Sequence, residues 1–192
     1  ADFFRCVDMI VDRLGANPLV MQLPIGSEQD FEGIVDLIKM RAIYWDEETL
    51  GVQFEERDIP AAMVSECEEM RARLIENAAE ASEELTDKYL EGLELSLSEI
   101  RQGIRRRTLD NQVIPVLCGS AFKNKGVQAV LDGVIEYLPG PGDVGAVCDV
   151  NNEPGSERLV RQSEDEEPFA ALAFKIAADP FVGNIAFFRV YS

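Results

Sequence analysis

The chain has 192 residues, 46% of them apolar, with 36 acidic against 18 basic side chains and no histidine, for a net charge of −18. That apolar content suits a folded globular protein rather than a disordered one, and the negative field repels phosphate backbones unless basic residues are segregated. The lack of histidine removes the commonest general base and the Ser-His and Cys-His pairs, and with four cysteines far apart in sequence the usual structural zinc sites have too few ligands.

Phe3, Val7, Ile10, Val11 and Leu14 recur at helical spacing over residues 2–14, and Gly15 and Pro18 supply the stop. Asp2, Asp8 and Asp12 interrupt this apolar start, which argues against a secretory signal. No apolar run approaches the roughly 20 residues that span a bilayer, so no membrane partner and a cytoplasmic location are expected. Cys6, Cys67, Cys118 and Cys148 are far apart, never form C-x-x-C, and read as reduced core residues. Residues 18–26 (PLVMQLPIG) read as a strand, residues 26–30 as a turn, and residues 31–45 (FEGIVDLIKMRAIYW) as one bent strand or two. A further strand is expected within residues 52–59.

Residues 46–99 hold 17 Asp and Glu against 4 Lys and Arg. Within them, Pro60 marks the start of a helix over about 60–81. One face of it carries Met63, Cys67, Met70, Leu74, Ala78 and Ala81; another carries Glu66, Glu69, Arg73, Glu76 and Glu80. This acidic stripe is either a solvated helix face or a dock for a basic protein. A short helix follows at 83–90, and Ser96 with Glu99 forms a capping box for a helix over 97–109. Its ArgArgArg run at 105–107 is explained by the dipole at the helix C-terminus rather than by nucleic acid.

Residues 113–118 form an apolar strand, 119–125 a small-residue loop, and 126–137 a helix whose core face is Val127, Val130, Leu131, Val134, Ile135 and Leu138. Leu138-Pro139-Gly140-Pro141-Gly142 ends the helix and marks a boundary. Residues 151–167 are polar and loop-like, and 168–192 give two strands about the turn ADPFVGN, which cannot bury both faces alone.

Strand, small loop and helix suggest a nucleotide cradle, but G-x-x-x-x-G-K-[ST] is absent: after Gly119 and Gly126 come Val127 and Gln128. Asp30-Phe31-Glu32-Gly33 matches D-x-x-G, yet without a phosphate loop it reads as a turn. The run Cys118-Gly119-Ser120-Ala121-Phe122-Lys123-Asn124-Lys125-Gly126-Val127-Gln128 resembles the last guanine-recognition loop of translation elongation factor G. Gly15-Ala16-Asn17-Pro18, residues 33–45, Asp58-Ile59-Pro60-Ala61, residues 76–90 and residues 174–192 are similar to the same family, in order along the chain.

The resemblance implies an α/β fragment of a P-loop GTPase domain carrying an α+β inserted subdomain, followed by the first strands of a β-barrel. It implies residues 1–17 and 113–139 from the end of the GTPase domain, 18–112 as the insertion, 140–167 as linker and 168–192 as the barrel start. The insertion would fold around its own sheet, covered by the helices at 60–109. By the same resemblance Ser120, Ala121 and Phe122 would meet guanine chiefly through backbone amides, and the inserted subdomain would engage the C-terminal domain of the ribosomal stalk protein; the acidic stripe at Glu66, Glu69, Glu76 and Glu80 is the expected dock, with a solvated helix face as the alternative. GTP or GDP with magnesium, and ribosomal RNA through a complete second domain, belong to the parent, whose phosphate loop, switches and N-K-x-D motif lie outside this sequence. The expectation is a non-catalytic binding module with no cofactor or metal of its own. A complete GTPase and a stand-alone acidic protein copying the factor's surface are the alternatives; a chain beginning at Ala1 rather than methionine disfavours the latter.

Overall fold

The computed structural model describes residues 2–46, 51, 53–144, 147–148 and 160–192, and the chain divides into two units, residues 1–138 and 139–192. In the first, α1 (Phe3–Leu14) starts where Asp2 accepts from the Arg5 amide at 3.1 Å and ends at Gly15, whose left-handed backbone lets its N–H reach the Val11 carbonyl. The expected single strand over 18–26 is two: β1 (Pro18–Val20) and β2 (Gln22–Ile25). Met21 is the crossing point, because its N–H bonds the Val116 carbonyl while its own carbonyl accepts from Leu37.

After β2, Glu28–Asp30 make one 3-10 turn. The run over 31–45 resolves into β3 (Gly33–Asp36) and β4 (Arg41–Trp45). Asp36 explains the break: its Oδ1 accepts from the amides of Ile38 (2.8 Å) and Lys39 (3.0 Å), and Met40 closes the turn at φ 54°. Strand β5 (Phe54–Arg57) completes an antiparallel sheet in the order β2-β3-β4-β5. Its Glu55, Glu56 and Arg57 are exposed at the sheet edge, where charge discourages pairing with another chain.

Helix α2 (Val64–Ala79) follows, then α3 (Glu83–Leu90) and α4 (Leu97–Leu109). The apolar face expected on α2 is the buried one, with Cys67, Leu74 and Ala78 inaccessible. They pack with Ile100 and Ile104 of α4 against Leu23, Val35 and Ala42 of the sheet. Full burial of a side chain such as Leu74 or Ile104 stabilises the fold by about 1.5–3 kcal/mol. The helices over 60–109 therefore cover one face of the sheet. On its other face, Phe31, Ile34, Ile43 and Trp45 form a second small core.

Strand β6 (Ile114–Val116) pairs in parallel with β1, Leu19 opposite Pro115. Helix α5 (Val127–Tyr137) starts at Gly126, φ 83°. The core face expected of α5 is corrected here: Val127, Val130, Leu131, Val134, Ile135 and Leu138 are all exposed, Ile135 to 76%. The helix instead buries Gly133 and Tyr137, because the absent Cβ of Gly133 admits the Leu117 side chain.

In the second unit β7 (Val147–Cys148) pairs with β8 (Val160–Arg161), and residues 151–159 of the expected polar loop lie outside the described residues. Strands β9 (Ala171–Asp179) and β10 (Gly183–Val190) form an antiparallel hairpin, irregular between Phe187 and Phe188. Asp179 sets its turn by accepting from the amides of Phe181 (2.8 Å) and Val182 (3.0 Å), which holds its carboxyl below the usual range. Leu172, Phe174, Ile176, Phe187 and Phe188 are exposed, as two strands alone require.

Candidate functional site

The loop after β6 is closed by its own backbone. Ser120 and Lys125 pair in both directions, N–H to carbonyl at 2.8 and 3.0 Å, and the amides of Lys123 and Asn124 fold back onto Ser120 and Ala121, each at 3.1 Å. This uses most of the loop's donors. The amides of Ala121 and Phe122 donate to no described residue, and Phe122 is fully exposed. Two neighbouring backbone donors at a loop tip are available to an acceptor oxygen. Glycine is required on either side: a Cβ on Gly119 would lie 2.7 Å from the Lys125 carbonyl, and Gly126 needs its positive φ.

Beside this loop is a cleft of about 700 Å³, walled by the start of α1 (Asp2, Phe3, Phe4 and Cys6), the turn at Gly26–Glu28 and Cys118-Gly119-Ser120. Of the expected loop residues, Ser120 lines the cleft, while Ala121 and Phe122 follow it at the tip. Phe31, from the D-x-x-G match, is also a wall residue. Gly33 of that match starts β3, where a Cβ would meet the Ile43 carbonyl at 2.3 Å, so glycine there serves strand packing.

The cysteines divide. Cys67 is buried, and burial raises its thiol pKa; Cys118 is part-buried in the cleft wall, and burial pushes its thiol up to about 12. Cys6 lies exposed on α1, which corrects its assignment to the core: Phe3 and Val7, not Cys6, are the residues α1 turns inward. Cys148 falls outside the side chains described.

The acidic stripe of α2 is exposed at all four positions, Glu66, Glu69, Glu76 and Glu80. Two of them have structural partners. Glu69 pairs with Arg73 at 2.6 Å, and Glu80 holds Arg107, whose buried guanidinium also bonds the Asn77 carbonyl at 2.9 Å. The arginine run is thus reinterpreted: Arg107 satisfies the end of α2, and Arg105 donates to the C-terminal carbonyls of α5, Glu136 at 2.8 Å. Both complement helix dipoles, but those of neighbouring helices. Sequence reading assigned no role to Lys123, Lys125, Gln128 or Gly51. These surround the loop, and their spacing carries no periodic signal.

No protein-family model matches the chain. Its fold is similar to the crystal structure of ttk003000868 from Thermus thermophilus, with TM-score 0.76 and 23% sequence identity. The likeness is one of fold. It covers 100% of this chain and 25% of that protein, so the chain spans a quarter of its length. The mixed α/β architecture is therefore shared with part of a larger protein. Among the described residues, no helix is long and apolar enough to cross a membrane.

Proposed function

We propose that this chain is an internal segment of a translational GTPase resembling elongation factor G, and that it supplies one wall of the guanine pocket and a partner-docking subdomain without catalysing hydrolysis. The observation that carries this reading is the pair of amides at Ala121 and Phe122, bonded to no described residue, on a loop otherwise closed by its own hydrogen bonds. The 6-oxo group of guanine is an acceptor of the kind such donors select, whereas the 6-amino group of adenine is not. The adjoining cleft and the ordered blocks of resemblance from residue 15 to residue 192 support the same reading. Phosphates and magnesium would be held by the phosphate loop and switches of the parent. This chain's residues contribute only to the base, so its own affinity for GDP is expected to be negligible. The parent's barrel would reach ribosomal RNA only when complete.

The docking partner is the C-terminal domain of the ribosomal stalk protein, met by Glu66, Glu69, Glu76 and Glu80 of α2. Complementary charge speeds such encounters and makes them salt-sensitive. Glu66 and Glu76, which form no ion pair with a described residue, carry most of it; Glu69 and Glu80 are shared with Arg73 and Arg107. Calorimetric titration of the stalk domain into the folded chain is expected to give heat at low salt. A Glu66→Lys/Glu69→Lys double variant should weaken binding about tenfold or more, as like charges replace opposite ones. No heat at any salt concentration would overturn the docking assignment and leave α2 with a solvated face.

A further inference from the structure

The loop that presents Ala121 and Phe122 does not stand alone. In a four-stranded antiparallel sheet ordered β2-β3-β4-β5, the β2–β3 and β4–β5 connections emerge at the same end. Described residues of each meet the loop or the start of the helix that follows it. From the β2–β3 side, the carbonyls of Gln29 and Phe31 accept from the Lys123 ammonium, and the Phe31 carbonyl also accepts from Lys125 at 3.4 Å. Lys125 is only 6% exposed, unusual for a lysine, and a buried ammonium needs such acceptors to be tolerated. From the β4–β5 side, Gly51 packs so closely that a Cβ on it would lie 1.9 Å from the Asn124 carbonyl. Its own carbonyl accepts from Gln128 in the first turn of α5 at 3.0 Å.

We infer that the four-stranded sheet is the scaffold that sets the 120–125 loop, with Lys125 and Gln128 as positioning residues that govern base affinity without touching the base. This rests on the guanine reading above. The physical reason is that a donor pair selects an acceptor only if its direction is fixed before the ligand arrives. A loop with Phe122 fully exposed has no core of its own to fix it. Held at both shoulders by one rigid sheet, the two amides keep a single orientation. Released at either shoulder, they sample several and lose affinity for the base edge.

The test has two arms. In this chain, Lys125→Met and, separately, Gln128→Ala are followed by amide hydrogen exchange. The bonded amides of Ser120, Lys123, Asn124 and Lys125 are expected to exchange about tenfold faster, the loss of roughly one hydrogen bond, with Leu74 and Ile104 unchanged. In the complete GTPase bearing the same variants, KM for GTP and the dissociation constant for GDP should rise about tenfold, with kcat at saturation unaltered. Unchanged loop exchange in both variants overturns the scaffold. Should Lys125→Met fail to fold, exposed Gln128→Ala alone decides: faster loop exchange supports the scaffold and unchanged exchange overturns it. Faster loop exchange with undiminished GDP affinity overturns the positioning role alone, whereas the guanine reading falls if Ala121→Pro, which removes one of the two amide donors, also leaves GDP affinity in the complete GTPase unchanged; stalk binding measured on the same variants should be unaffected throughout.

Discussion

Gly103 shows how one residue decides a helix crossing. It sits within α4, where a glycine-to-alanine change ordinarily gains about 1 kcal/mol of helix propensity. Here the added Cβ would lie 2.3 Å from the Ala78 carbonyl of α2, a backbone atom that cannot swing aside. Separating the two helices would disturb the packing of Leu74, Ala78, Ile100 and Ile104. Overpacking of this kind costs about 1–3 kcal/mol, often more than the propensity gain. Gly103→Ala is therefore expected to lower the stability read from urea unfolding by a net of up to about 2 kcal/mol; a higher midpoint would mean the helices yield freely. Nothing in the sequence distinguishes Gly103 from an indifferent helix glycine, since its importance depends on which residue faces it.

Among the elements, the corner between α3 and α4 was the most legible. The Ser96–Glu99 capping box expected from four letters is formed, with Glu99 Oε2 accepting from the Ser96 amide at 2.7 Å. The sequence did not reveal that Lys88 of α3 also bonds both Glu99 oxygens, at 2.7 and 2.9 Å. That ammonium first, and the Ser96 donors second, lower the Glu99 pKa from 4.5 to about 2. A depressed carboxylate pKa stabilises the fold above the unfolded value and loses that contribution as pH falls through the folded value. Unfolding midpoints should thus decline between about pH 4.5 and pH 2, and Glu99→Gln should flatten part of that decline. Equal pH profiles for both proteins would show that the corner contributes nothing. Strand elements were less legible: periodicity ran straight through Met21, where the chain changes sheets, because alternation is the same in either sheet.

At the scale of the whole molecule, α5 is the informative departure. Its sequence has a wide apolar stripe, and amphipathicity predicts that such a stripe faces a core. The structure buries the narrow face through Gly133 and Tyr137 and leaves Leu131 and Ile135 exposed to 58% and 76%. A Leu131→Lys/Ile135→Lys variant should keep its unfolding midpoint within about 0.5 kcal/mol, as exposed positions do. Its binding of apolar dyes and its self-association should fall. A loss of several kcal/mol would instead place those residues in a packed layer. On the reading proposed above, the exposed stripe would be covered by the remainder of the parent GTPase domain.

Local sequence was enough to place the helices, the Gly15 stop of α1, the capping box of α4, the buried face of α2 and a small-residue loop after β6, while α2 starts at Val64 rather than at Pro60. All of these follow from interactions within a few residues, where spacing and side-chain type suffice. The remainder came from the folded chain. There β1 pairs with β6, each partner 96 positions away (Pro18 with Ile114), Arg105 and Arg107 serve other helices than their own, and the carbonyls of Phe31 and Gly51 accept from Lys125 and Gln128. Each of these depends on which distant group arrives opposite a side chain. Local pattern carries no record of that, because the same lysine, glycine or arginine is equally at home on a solvated surface.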